Sequence, residues 1–237
     1  MTDRVELIEV HVPDGTAEAY LAGPDDHSVP GVLFYMDALG LRPQIEDMLV
    51  RIAGWGYTVL APNVFHRDGS VADIVGDRDH AIDRVHALTP ELLAADAPSY
   101  LSALRERCAD GPVGTTGYCM GARLAVRTAT AHPDEVAAVG GFHGGGLATD
   151  DDASPHLGLA AARAEFVFGH ADNDRSMPPE AVGRLGEALA AAGLVFINDV
   201  YAGAPHGYTM NDTPRYHAEA AERHYRALES LLDRTLR

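Results

Sequence analysis

The chain of 237 residues contains no lysine: its 18 basic side chains are all arginine, set against 35 acidic ones. The net charge of −17 excludes capture of nucleic acid or an anionic membrane by a general basic field. Cysteine is nearly as scarce. Cys108 and Cys119 are the only two, which excludes a disulfide framework and any multi-cysteine zinc spacing. A reducing, cytoplasmic setting fits this usage, and there Cys119 stays free. No apolar run approaches the about 18 residues needed to cross a bilayer, so no membrane span is expected. The opening residues, Met1 to Glu6, lack a basic stretch followed by an apolar one, so no secretory leader is expected. No low-complexity linker, charge block or internal repeat divides the chain, which reads as a single domain over 1–237.

What is present is enough apolar material, 46% of residues, for a sizeable core. Val5 to Val12 alternates apolar and polar residues, as a half-buried strand does. Pro13-Asp14-Gly15 is a turn, and Ala17 to Leu21 completes an antiparallel hairpin. Gly31 to Met36 and Tyr57 to Pro62 are nearly continuous apolar runs, the mark of strands buried on both faces. Between them Pro43 opens a helix that Gly54 closes. Val71 to Leu88 reads as one polar helix. Thr89 caps a second helical segment, which Pro98 is expected to interrupt before helix resumes over Ser99 to Cys108. There Leu101, Leu104 and Cys108 share one face, which makes Cys108 a packing residue. Further strands are expected over 112–116, 136–142, 165–169 and 195–201, with helices to about Ala131, to about Ala192 and from about Thr213 to Leu236. Buried strands alternating with helices predict an α/β fold: a mostly parallel central sheet, helices on both faces, and an N-terminal antiparallel hairpin.

The chain's chemistry centres on Gly117-Tyr118-Cys119-Met120-Gly121. It follows a strand and opens a helix, the context of a nucleophile elbow, although the usual residue there is serine. A tight strand-to-helix turn holds the central side chain out beside the first helical N–H groups. Those groups favour negative charge on a thiolate or an oxyanion. The competing reading is a tight turn around an inert thiol.

Thiol catalysis needs a base to take the proton and a carboxylate to orient that base. His206 follows the last strand, between Pro205 and Gly207. Cys119, an aspartate, then His206 is the chain order of α/β hydrolases. Asp172 and Asp174 both follow the strand ending at Gly169, and either can be the acid. The expected oxyanion donors are the backbone N–H groups of Met120 and Ala38. Asp37 follows a buried strand directly and is a candidate for gating the thiol or binding substrate. His143-Gly144-Gly145-Gly146 resembles an oxyanion string of some lipases but lies after the nucleophile. It reads as a loop lining the pocket instead. Thr149 to Asp152 is a solvated loop.

Together these stretches resemble the dienelactone hydrolase family of α/β hydrolases over nearly the whole chain. Gly117 to Gly121 resembles its Gly-x-Cys-x-Gly elbow. Asp174-Arg175-Ser176-Met177-Pro178 resembles its Asp-x-x-x-Pro acid loop, which implies Asp174 as the acid. Gly203 to Gly207 resembles its histidine loop. Asp37 to Leu41 resembles a stretch that carries a gating glutamate, here one methylene shorter. Where the namesake enzymes place an arginine four residues after the histidine, this chain has Met210; Arg67 and Arg215 are the nearby substitutes. The resemblance implies an α/β-hydrolase fold and a Cys119–His206–Asp174 triad. It implies cleavage of a lactone or carboxylic ester without a cofactor or metal, on a small-molecule substrate, in a monomer or small homo-oligomer. The same triad would also serve acyl transfer, thioester cleavage or peptide cleavage. A different class of reading is a redox-sensing domain that keeps the fold but not the turnover.

Overall fold

The computed structural model describes residues 4–237; Met1 to Asp3, the head of the stretch expected to carry no leader, lie outside the described residues. Two compact units divide the chain, one ending at Val113 and the other beginning at Gly114.

In the first unit β1 (Glu6–Val12) and β2 (Gly15–Ala22) form the expected antiparallel hairpin, with Val12 opposite Gly15. β2 runs antiparallel to β4 (Thr58–Pro62), which pairs in parallel with β3 (Gly31–Tyr35). Every residue of β3 and β4 is buried. Helices α1 (Pro43–Ala53) and α4 (Pro90–Arg105) pack against these strands and cover them.

Two expectations fail here. The single helix over 71–88 is two short ones, α2 (Val71–Ile74) and α3 (Ala81–Ala87). Ser70 and Asp73 close a capping box that starts α2, but Val75 turns extended and Gly76 takes φ +90°. Asp77 then binds Arg84 and His80, fixing the break. Conversely, Pro98 does not interrupt α4, which runs on through it. Proline costs the helix one N–H donor and crowds the preceding turn. Leu93, Asp96, Ala97, Tyr100, Leu101 and Leu104 are nevertheless all buried, one unbroken stripe on either side of Pro98. Continuous burial of that stripe outweighs the local loss. Cys108 lies just past the helix, 1% exposed, and its burial raises the thiol pKa.

Arg67 ties this unit together. It donates to both oxygens of Asp14 (2.7 and 2.9 Å) in the hairpin turn. It also donates to both oxygens of buried Asp96 (2.7 and 2.9 Å) in α4.

In the second unit the strand order is β5 (Val113–Tyr118), β6 (Val136–Phe142), β7 (Glu165–Ala171), β8 (Phe196–Tyr201). β6, β7 and β8 are parallel. Helix α5 (Met120–Ala131) packs on β6, α6 (Pro179–Ala191) on β8, and α7 (Ala218–Leu236) on β6 and β7. β7 runs two residues beyond the expected Gly169, because His170 and Ala171 pair with Val200 and Tyr201. β8 exposes Ile197, Asp199 and Val200 and is an edge strand. The last helix starts at Ala218 rather than Thr213: residues 213–217 are spent on turns, and the His217 side chain then caps it by accepting from Ala220 N–H. A 3-10 helix spans Pro155–Ala161.

Among the described residues no helix is long and apolar enough to cross a membrane.

Candidate active site

The carboxyl ends of β5, β6, β7 and β8 supply the site in the second unit. β5 ends in Tyr118, and α5 begins at Met120, so Cys119 alone makes the turn. Its backbone sits at φ 56°, ψ −117°, a costly conformation for a residue with a side chain. Gly117 explains why the turn can be this tight: a Cβ there would lie 2.0 Å from the Gly121 carbonyl oxygen. The Cys119 sulfur is therefore held out at the N-terminus of α5, half-buried and unbridged. Met120 N–H is the first of that helix, one of the group that no carbonyl of a preceding turn can satisfy.

His206 stands in the loop after β8. Its Nε2 lies 3.1 Å from the Cys119 sulfur, and its Nδ1 lies 2.6 Å from Asp174 Oδ2. Asp174 follows β7 and is 9% exposed. Its other oxygen accepts from the backbone N–H (2.8 Å) and the hydroxyl (2.7 Å) of Ser176. Burial alone would raise the Asp174 pKa, but the bonds from His206 and Ser176 outweigh it and hold the carboxyl at about 2. Burial likewise opposes charge on His206. The bonds to Asp174 and Cys119 prevail and push the imidazole up to about 10.

Asp172, the other candidate acid, faces elsewhere. Its Oδ2 accepts from Gly203 N–H at 2.8 Å, and its own N–H donates to Ala204 C=O at 2.7 Å. It pins the start of the loop that carries His206.

Asp37 and Ala38 follow β3 in the first unit. Arg42 grips Asp37 through both oxygens (2.6 and 3.1 Å), and Leu39 N–H donates to the same carboxylate. Both partners are buried. Asp14, His66 and Asp96 bring potential metal ligands within 4.8 Å of one another. Arg67 already neutralises the two carboxylates there, and a dication would have to displace it.

Two neighbours of the triad had no role of their own assigned from the sequence. Ser176 could have been found, since an aspartate two residues before a serine is a common side-chain-to-backbone turn. The role of His143 could not, because Thr209, its hydrogen-bond partner, lies 66 residues away along the chain. Gly145 has no room for a side chain: a Cβ there would meet the Ser176 hydroxyl at 2.7 Å and come within 3.9 Å of the His206 ring.

Comparison with known proteins places the chain in a family. The model of the dienelactone hydrolase family matches residues 17–236. A candidate carboxymethylenebutenolidase of Methylorubrum extorquens is 27% identical over 96% of this chain and 81% of its own length. The carboxymethylenebutenolidase of Rhodococcus opacus is 28% identical over 86% of this chain and 79% of its own. A crystal structure of a candidate dienelactone hydrolase from Klebsiella pneumoniae superposes with a TM-score of 0.84 at 22% identity, covering 97% of this chain and 99% of that one. That likeness gives the fold, an α/β hydrolase. With the family match spanning nearly all of the sequence, the chain belongs to the dienelactone hydrolase family.

Proposed function

We propose that this protein hydrolyses a lactone or carboxylic ester through a covalent thioester on Cys119. The observation that carries the reading is one imidazole bonded on both sides: His206 Nε2 to sulfur at 3.1 Å, Nδ1 to Asp174 at 2.6 Å. His206 Nε2 is within reach of the sulfur and takes the thiol proton, so the attacking nucleophile is a thiolate. Both oxygens of Asp37 are engaged by Arg42, so the thiol proton goes to His206 and not through Asp37.

The thiolate attacks the carbonyl carbon, and the oxyanion that forms is stabilised by Met120 N–H and the N-terminus of α5. Collapse expels the alkoxide, which takes the proton from His206 Nε2. In a lactone that alkoxide remains tethered, so the ring opens. His206, now neutral, removes a proton from water; the hydroxide attacks the thioester; the acid leaves, and the thiolate–imidazolium pair is restored. Asp174 stays ionised and keeps Nδ1 protonated throughout.

The relatives' name points to lactones that bear a carboxylate. Arg67 is committed to Asp14 and Asp96. Of the two, Arg215 is the one left: its Cβ lies 3.5 Å from where a Cβ on Gly207 would sit, and among the described residues it has no ion-pair partner.

The test is Cys119→Ala with p-nitrophenyl acetate and a lactone panel. Turnover should vanish while the melting temperature moves by no more than a few degrees. Unchanged turnover overturns the proposal. Acyl thioesters and peptides in the same panel distinguish ester hydrolysis from the other chemistries the triad could perform.

A further inference from the structure

We propose that His143 and Thr209 brace the His206 ring between Cys119 and Asp174, with His143 a positioning residue that never carries the proton. The inference rests on the triad proposed above.

His143 follows the last residue of β6 and is fully buried, yet its backbone takes φ +38°. A non-glycine residue there is strained and needs surroundings that hold it. Three of its side-chain neighbours belong to the histidine loop. The His143 ring meets His206 edge to face, with centroids 5.3 Å apart at 66°. It meets Tyr208 the same way, at 5.1 Å and 79°. Its Nε2 lies 2.7 Å from the hydroxyl of Thr209, three residues after His206. Its backbone N–H donates to the Gly169 carbonyl, which also accepts from the Tyr208 hydroxyl. The ends of β6 and β7 therefore clamp residues 206–209.

A phenyl ring at 143 could keep the packing but not the bond to Thr209. A charged ring would set a second cation against His206. Burial first, then the neighbouring His206 and His224, keep His143 uncharged, with Asp174 the facing group that opposes them. Tyr118 and Tyr208 complete the ring's titratable surroundings. A residue that only filled space would give a stability effect and nothing else.

Thr209→Val, Thr209→Ser and His143→Phe separate the two roles. Each is measured for the pH dependence of Cys119 alkylation by iodoacetamide, for kcat and KM with p-nitrophenyl acetate, and for melting temperature. With the brace, Thr209→Val and His143→Phe lower kcat by about 10- to 100-fold at nearly constant KM, the cost of a small misplacement. The alkylation midpoint moves up from that of the wild type, because a misplaced imidazole takes the thiol proton less readily. Thr209→Ser restores both. Wild-type kcat and an unmoved alkylation profile in folded Thr209→Val overturn the brace, as does a fall in melting temperature alone. Should His143→Phe fail to fold, Thr209→Val and its serine rescue decide. The alkylation readout needs no ester: a shifted profile in an enzyme that cleaves no ester keeps the brace and discards the hydrolase reading.

Discussion

Replacing Gly117 with alanine tests the elbow most directly. An ideal Cβ there would sit 2.0 Å from the Gly121 carbonyl oxygen, 2.3 Å from its carbon and 2.7 Å from Ala122 N. All three are backbone atoms in the first turn of α5, so no side chain can swing aside. The helix start must move by about 1 Å or more, taking Met120 N–H and the Cys119 sulfur with it. Overpacking of this kind costs about 1–3 kcal/mol, and an unyielding backbone puts Gly117→Ala at the upper end. For a chain of this size that is a drop of about 6–12 °C in melting temperature. The control is Gly183→Ala in α6, where a Cβ meets nothing within 4 Å. The same chemical change there should stabilise by about 0.5–1 kcal/mol, because alanine loses less backbone entropy in a helix. Thermal unfolding followed by circular dichroism reads both, and ester turnover reads the displacement of the sulfur. Opposite signs are expected. A Gly117→Ala protein that melts and turns over like the parent would refute the claim that the tight turn holds the nucleophile.

Stability should peak near pH 6.5. Burial depresses the pKa of His143 and of His170, so below about 6.5 the unfolded chain takes up protons that the folded one refuses, and stability falls on acidification. His206 works the other way: its contribution is fully present below about 6.5 and is lost as pH rises through about 10. Urea unfolding from pH 5 to 10 checks both limbs, and stability that climbs from pH 7 to 10 contradicts the second. Arg42→Met should cost about 3–5 kcal/mol, because it strands the buried carboxylate of Asp37. Adding Asp37→Leu to it should recover most of that in the same unfolding assay, and no recovery means the pair was not the cause. Asp174→Asn should cut kcat by about 10⁴ through the wrong imidazole tautomer. Asp172→Asn, which disturbs one loop bond, should cut it far less; equal losses would undo the assignment.

The sequence by itself determined the local events. Glycine, cysteine and glycine between a β-rich run and a helix-forming run define the elbow, and the hairpin, the buried strands and α1 follow from alternation, apolar runs and stop signals. Such signals are short-range, and each is complete within a few residues. The order of cysteine, aspartate and histidine was legible for the same reason, each standing just after a strand. Tertiary structure decided whatever depended on partners far along the chain. Pro98 stays inside a helix because a buried stripe spans it. Arg67 is spent on carboxylates 53 and 29 residues away. Asp174 rather than Asp172 turns its oxygen to His206, a choice that resemblance to a family could anticipate but spacing could not. The contacts of His143 became visible only when β6 and the histidine loop were brought together. Local patterning chooses what each segment is; burial and hydrogen bonding between distant segments choose what each side chain does.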